Sequence, residues 1–295
     1  MRVFVTGATG FIGSAIVPEL INAGHQVLGL TRSDVGAQSL IAAGAEVHRG
    51  DLEDLESLRS GAAKSDGVIH TAFIHDFSKF KENCEIDRRA IETLGDALAG
   101  SNRPLIVSSG IGALAPGRVA TEDMEAPFNP AMPRVSEQTG LAQVARGVSV
   151  SVVRLPQVHD TVKQGLITYA VALAREKGVS AYVGDGSNRW SAAHVLDVAH
   201  LYKLALEKHE AGSRYHAVGE EGVSMREIAE VVGRGLKVPV VSLSPEAAQA
   251  HFGWLAIFAG LDMPASSAQT RKKLGWNPTG PTLLTDLGNM RYSQS

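Results

Sequence analysis

The chain of 295 residues is poor in several things that would have pointed to particular functions. It has one cysteine, Cys84, so no internal disulfide can form and nothing argues for an oxidising compartment. Cys84 has two readings, a reactive thiol or a small side chain packed near a helix start, and the second is the simpler. Positive charge is not in excess: 28 Lys and Arg stand against 31 Asp and Glu, a net charge of −3. No basic block or stripe occurs, so neither nucleic acid nor an anionic membrane surface is expected as a partner. No apolar stretch approaches the roughly 20 residues that cross a bilayer. The N-terminal apolar run breaks at Thr6-Gly7, which is not a signal-peptide pattern. The ten histidines are scattered, and no metal-ligand spacing is found. A soluble cytoplasmic protein is expected.

What the chain does have is alternation. Short β-branched runs fall at 3–5, 26–30, 45–48, 67–70, 104–109 and 149–155. Between them lie segments of helical period, one starting at Phe11 and others over 54–59, 86–99 and 136–146. Strand and helix alternating in this way predict an α/β fold with a Rossmann-type, doubly wound parallel sheet. Pro18 falls inside the first helix and should kink it. After residue 155 the pattern is irregular, with helices near 161–177, 194–207 and 224–236, the last opening on the capping box Ser224–Glu227. RYHAV (214–218) reads as a strand returning to the sheet. The change of pattern divides the chain into 1–155 and 156–295. The stretch 117–133, with prolines at 127, 130 and 133 and no periodicity, reads as a long functional surface loop.

In "VFVTGATGFIG" (3–13) the glycines Gly7, Gly10 and Gly13 sit between a strand and a helix. Glycine there permits a tight turn and close approach of a pyrophosphate, and the helix N-terminus offers N–H groups to it. At the end of the second strand, LTRSD (30–34), an acidic residue would select NAD through the ribose hydroxyl. Arg32 stands there, and a guanidinium pairs with a 2′-phosphate. Ser33 adds a hydroxyl donor. The competing reading gives the ribose to Asp34. The charge argument favours NADP, with NAD as the alternative.

These residues resemble the extended short-chain dehydrogenase/reductase family, the group of NAD-dependent epimerases and dehydratases. "GDLED" (50–54), "GVIHTA" (67–72), "LIVSSG" (105–110), "VVRLP" (152–156), "VGDGSNRWSAAHVLDVA" (183–199) and "LGWNP" (274–278) fall in the family's order. The resemblance implies cofactor contacts at Gly7, Thr9, Gly10, Phe11, Ile12, Gly13, Arg32, Ser33, Asp51, Leu52, Thr71, Ala72, Phe73, Ser108 and Pro156. It also implies a dinucleotide-binding Rossmann domain over 1–155, a smaller, mainly substrate-binding lobe over 156–295, and a homodimer through the fourth and fifth helices.

The family works with a Ser or Thr ending the fifth strand and a Tyr-x-x-x-Lys pair. Ser109 matches the first. In TEDMEAPFNPAMPRVSEQ (121–138), Arg134 stands where Tyr belongs and Gln138 where Lys belongs. The family's asparagine in the fourth helix aligns with Asp87. The resemblance is therefore to an atypical member, and the proton must come from elsewhere. Arg134 does not titrate near neutral pH but can anchor an oxygen bidentately. Glu137, three residues on, is expected to share its face and pair with it. His75 after the fourth strand and His159 after "RLPQV" both titrate in the useful range; Tyr169 and Tyr182 are further donors.

Three functions compete. The first is an NADP-dependent oxidoreductase acting on a small-molecule carbonyl or alcohol, with Ser109, Arg134, His75 and His159 as catalytic candidates. The second is a non-catalytic NADP(H)-binding sensor or scaffold. The third is a sugar-nucleotide epimerase or dehydratase, which the missing Tyr and Lys disfavour.

Overall fold

The computed structural model describes residues 1–112, 114–126 and 133–292. Residues 127–132 of the expected proline-bearing loop lie outside the described residues. The first half runs β1 (Arg2–Thr6), α1 (Gly13–Asn22), β2 (Gln26–Thr31), α2 (Asp34–Ala42), β3 (Glu46–Arg49), α3 (Leu55–Ala63), β4 (Gly67–His70), α4 (Phe80–Leu98), β5 (Pro104–Gly110), α5 (Ser136–Ala142) and β6 (Ser149–Leu155). The second half runs β7 (Gln157–His159), α6 (Ile167–Lys177), β8 (Ser180–Val183), β9 (Arg189–His194), α7 (Val195–Glu207), β10 (Arg214–His216), β11 (Glu220–Ser224), α8 (Met225–Leu236), β12 (Val240–Leu243), α9 (Pro245–Phe252), α10 (Ala256–Ala259), α11 (Ala268–Leu274) and α12 (Leu283–Asn289).

Seven strands form one parallel sheet in the order β10-β6-β5-β4-β1-β2-β3. Its two faces follow from the period of two along each strand. Val3 and Val5 of β1 pack with Ile16, Leu20, Leu201 and Tyr202 of α1 and α7. Phe4, between them, packs with Leu58, Ile91 and Leu94 of α3 and α4 on the opposite face. Each such buried side chain contributes about 1.5–3 kcal/mol of transfer free energy, which is why the strands read as continuous apolar runs. This is the doubly wound architecture expected, and β10 is the returning strand, pairing in parallel with β6.

Helix α1 continues through Pro18. Helix α2 was not legible: Ser33 caps it, accepting from the Gly36 N–H at 3.0 Å, but its GAQSLIA body has little polar–apolar contrast. Helix α6 starts at Ile167 rather than 161, because Asp160 Oδ1 accepts from the N–H groups of Val162 and Lys163 and turns the chain first. Beyond β6 the chain builds a three-stranded sheet, β11-β9-β7, and the parallel pair β12-β8. Helix α8 opens on the expected capping box, with Ser224 and Glu227 bonded reciprocally. Among the described residues no helix is long and apolar enough to cross a membrane.

Candidate cofactor and active site

In a parallel sheet the strand ends that carry function are the carboxyl ends. Here the edge assembles the glycine-rich turn after β1, His70 to His75 after β4, Ser108 to Gly110 ending β5, and Arg154 to His159 across β6 and β7. The turn fits a pyrophosphate. A Cβ on Gly7, whose φ is +69°, would come 2.7 Å from the Ala72 nitrogen, and one on Gly13 would come 2.0 Å from the Gly7 carbonyl oxygen. Helix α1 has no acidic residue in its first turn and no side-chain cap; the Ser14 and Ala15 N–H groups bond the Gly10 and Ile12 carbonyls, so an anion would meet the N–H groups that precede them. Thr9 and Gly10 are exposed, Phe11 and Ile12 half-buried. Thr71 Oγ1 donates to the Thr6 carbonyl at 2.8 Å and brings the segment after β4 against the turn.

At the end of β2, Arg32 and Ser33 are exposed. Asp34, the competitor for the ribose, is bonded to Arg49 of β3 at 2.6 Å, a cation that sequence reading had not assigned. Asp51 Oδ1 accepts from the Glu53 and Asp54 N–H groups and so shapes its own turn. Leu52 is buried in the core, and Pro156 is half-buried between β6 and β7.

Arg134 lies just before α5, with its guanidinium carbon 4.1 Å from the Phe73 ring centroid. Its Nε–H donates to Ser136 Oγ at 2.8 Å, and Nη2 leans toward the Ser108 carbonyl at 3.4 Å. The Ser136 hydroxyl donates to Asp87 Oδ2 at 2.5 Å, and Asp87 Oδ1 meets His70 Nε2 at 3.1 Å. Burial alone would raise the Asp87 carboxyl. The His70 bond and charge, with Arg134 and Ser136, hold it below the ordinary range. Ser108 faces away from this group: its hydroxyl donates to the His70 carbonyl at 2.7 Å and meets the Tyr202 hydroxyl of α7 at 2.6 Å. Burial raises the Tyr202 phenol, so it stays protonated. Ser109, next along the strand, therefore points to the opposite face of β5, and it is half-buried.

His75 exposes its surface, yet enough protein crowds the ring to lower its pKa. The Arg134 charge lowers it further, against the Phe73 carbonyl, to which Nδ1 is bonded at 3.1 Å, and Asp87. The Cys84 thiol is buried and pushed up to about 11, mainly by that burial, so it is inert as a nucleophile near neutral pH.

Two expectations are corrected. Glu137 does not pair with Arg134, because Arg134 precedes the helix while Glu137 turns inward within its first turn. There it accepts Arg154 bidentately at 2.7 and 2.8 Å and Arg214 at 2.8 Å. His159 is fully buried, with Nδ1 on Asp286 of α12 at 2.7 Å and Glu220 3.7 Å from Nε2. It belongs to the carboxylates of the second half and not to the Arg134 group, and burial lowers its pKa. Gln138, at the expected lysine position, is exposed and donates to the Ala126 carbonyl at 3.2 Å. Tyr169 packs edge-on against Trp254, and Tyr182 lies under Arg226.

Sequence reading missed the ties made by His70, Ser136 and Tyr202, which only the fold brings together. It also missed Lys163, whose ammonium lies 6.0 Å from the Phe11 ring centroid across the glycine-rich turn. Only the turn signal of Asp160 could have hinted at it.

Residues 3–219 match the model of the NAD dependent epimerase/dehydratase family, and the chain belongs to that family. It is 49% identical, over 99% of its length and 100% of the relative's, to an uncharacterized protein of Schizosaccharomyces pombe. It is 28% identical to the 4-hydroxy-2-methyl-3-oxo-4-farnesyl-3,4-dihydroquinoline-1-oxide ketoreductase of Stigmatella aurantiaca, over 90% of this chain and 84% of that one. The fold is similar to that of dTDP-glucose 4,6-dehydratase from Streptomyces venezuelae with NAD and TYD bound, at a TM-score of 0.77 and 19% identity over 99% and 96% of the two chains.

Proposed function

We propose that the chain is an NADPH-dependent reductase of a small carbonyl compound. The observation that carries this reading is the fixed Arg134 guanidinium at the carboxyl ends of β4 and β5, next to the strand that Ser109 ends. The chemistry a bound nicotinamide dinucleotide supplies is hydride transfer. Arg134 is the residue that polarises the carbonyl oxygen as negative charge develops on it. Ser109 donates a hydrogen bond to the same oxygen. His75 delivers the proton, its Nδ1 held by the Phe73 carbonyl. The ketoreductase relative supports a carbonyl substrate. A sugar nucleotide finds less support: its diphosphate needs cations, and Arg189 at the head of β9 turns its donors to Asp262.

NADPH oxidation by the purified protein should be followed against 3-oxo esters, aromatic aldehydes and quinones. Turnover of one class is expected. No turnover, with NADPH still bound, would replace the enzyme with a cofactor-binding sensor. Given turnover, Ser109→Ala should lower the rate by about one to three orders of magnitude and leave NADPH affinity nearly unchanged. An equal loss of affinity would make Ser109 a cofactor ligand instead.

Cofactor choice rests on Arg32, free of the Asp34–Arg49 pair. A charge-assisted bond to the 2′-phosphate should favour NADPH over NADH by about 10- to 100-fold. Arg32→Asp should reverse the order. Equal affinities in calorimetry of the unaltered protein would overturn the NADP preference.

A further inference from the structure

An arginine on a half-buried loop has wide rotamer freedom, and a polarising group that wanders contributes little to a transition state. Arg134 is tied down from beneath. The Ser136 hydroxyl has one proton, which goes to Asp87 Oδ2, so its lone pair is what accepts the Arg134 Nε–H. Asp87 is in turn met by His70 through Oδ1, and His70 Nδ1 by Thr6 Oγ1 at 2.8 Å. An ionised Asp87 only accepts, so the proton of the contact with His70 lies on Nε2. Ser136, Asp87 and His70 are each 1% exposed. The chain of bonds links β1, β4, α4 and α5 to one guanidinium, and the Phe73 ring closes the other side. Among the described residues Nη1 takes no partner. A buried carboxylate without compensation is costly; this one is compensated by His70 and by the cation it orients.

We propose that Asp87 and Ser136, backed by His70, are positioning residues that hold the Arg134 guanidinium as a fixed cation for the substrate oxygen. This rests on the reading of Arg134 as the polarising group. The aspartate in the fourth helix and the arginine before the fifth are then one device: the charge of the first fixes the aim of the second.

The test uses the full-length protein with Ser136→Ala, Ser136→Thr and Asp87→Asn. One readout is the side-chain Nε–H resonance of Arg134, assigned by its loss in Arg134→Lys, and its rate of exchange with water. The other is kcat and KM for the compound reduced fastest in the carbonyl panel. Ser136→Ala and Asp87→Asn should speed the exchange and lower kcat by about 10- to 100-fold, with KM and NADPH affinity nearly unchanged. Ser136→Thr should restore both readouts. Slow exchange and full kcat in Ser136→Ala would overturn the proposal. If the unaltered protein reduces nothing, the polarising role fails by itself. The exchange readout still decides the positioning: loss of protection in both variants supports it, and unchanged protection overturns it. Asp87→Asn is nearly isosteric, so it serves where Ser136→Ala fails to fold.

Discussion

Arg154→Met should destabilise the protein by about 3–5 kcal/mol at neutral pH. Arg154 is fully buried at the end of β6, and four contacts depend on it. It grips both oxygens of Glu137, donates to the Met124 carbonyl at 2.6 Å, and meets His216 Nε2 at 3.1 Å. Since His216 Nδ1 is bonded to the Ser266 carbonyl, Nδ1 carries the proton and Nε2 accepts from the guanidinium. Methionine fills similar space but leaves the Glu137 carboxylate, 2% exposed, with Arg214 at its rim as the remaining cation. Acid gives the sign. Burial pushes the Glu137 carboxyl up, but Arg154 and then Arg214 hold it below the ordinary value. In the unaltered protein Glu137 thus contributes stability above the unfolded pKa, lost as pH falls through the lower folded one. In the variant burial prevails, the pKa rises, and the penalty is largest where Glu137 must be ionised. Urea unfolding should show the deficit shrinking from pH 7 to about pH 4. A deficit independent of pH, or under about 1 kcal/mol, would mean Arg214 alone suffices.

The same pair shows where sequence reading ends. The doubly wound sheet was legible because its central strands β1, β4, β5 and β6 are buried on both faces and α1, α3 and α4 each have one apolar stripe. The glycine-rich turn was legible because local geometry demands glycine there. Glu137 was not. Its neighbour at helical spacing is Arg134, yet its partners are 17 and 77 residues away. Nothing in "PRVSEQ" says that the helix starts only at Ser136 and turns the carboxylate inward. His70, Asp87 and Ser136 were each in view, but their chain of bonds exists only because β4, α4 and α5 converge. His159 looked available because it follows a strand of the nucleotide-binding half. Burial beside Asp286, from the far end of the chain, was invisible to periodicity.

The pH dependence of carbonyl reduction tests whether His75 supplies the proton. A donor acts while protonated, so the rate should fall as pH rises through its folded pKa. Crowding and the Arg134 charge lower that pKa, so the falling limb should lie below about pH 6.5, the ordinary histidine value. His75→Gln should remove the limb. Arg134→Ala carries two expectations that only the structure joins. Loss of the polarising cation should lower kcat by roughly two to three orders of magnitude, as for one oxyanion donor. Loss of the same charge beside the imidazole should move the limb upward, toward the ordinary value, because the protonated ring is no longer repelled. Arg134→Lys keeps the charge without the fork, so it should leave the limb near its original place while recovering little of the rate. His159→Gln should leave the limb where it is and act on stability, since that imidazole is sealed against Asp286. A limb that survives His75→Gln would take the proton from another source. A limb unmoved in Arg134→Ala, with kcat still reduced, would separate the two residues and leave arginine with the oxygen alone.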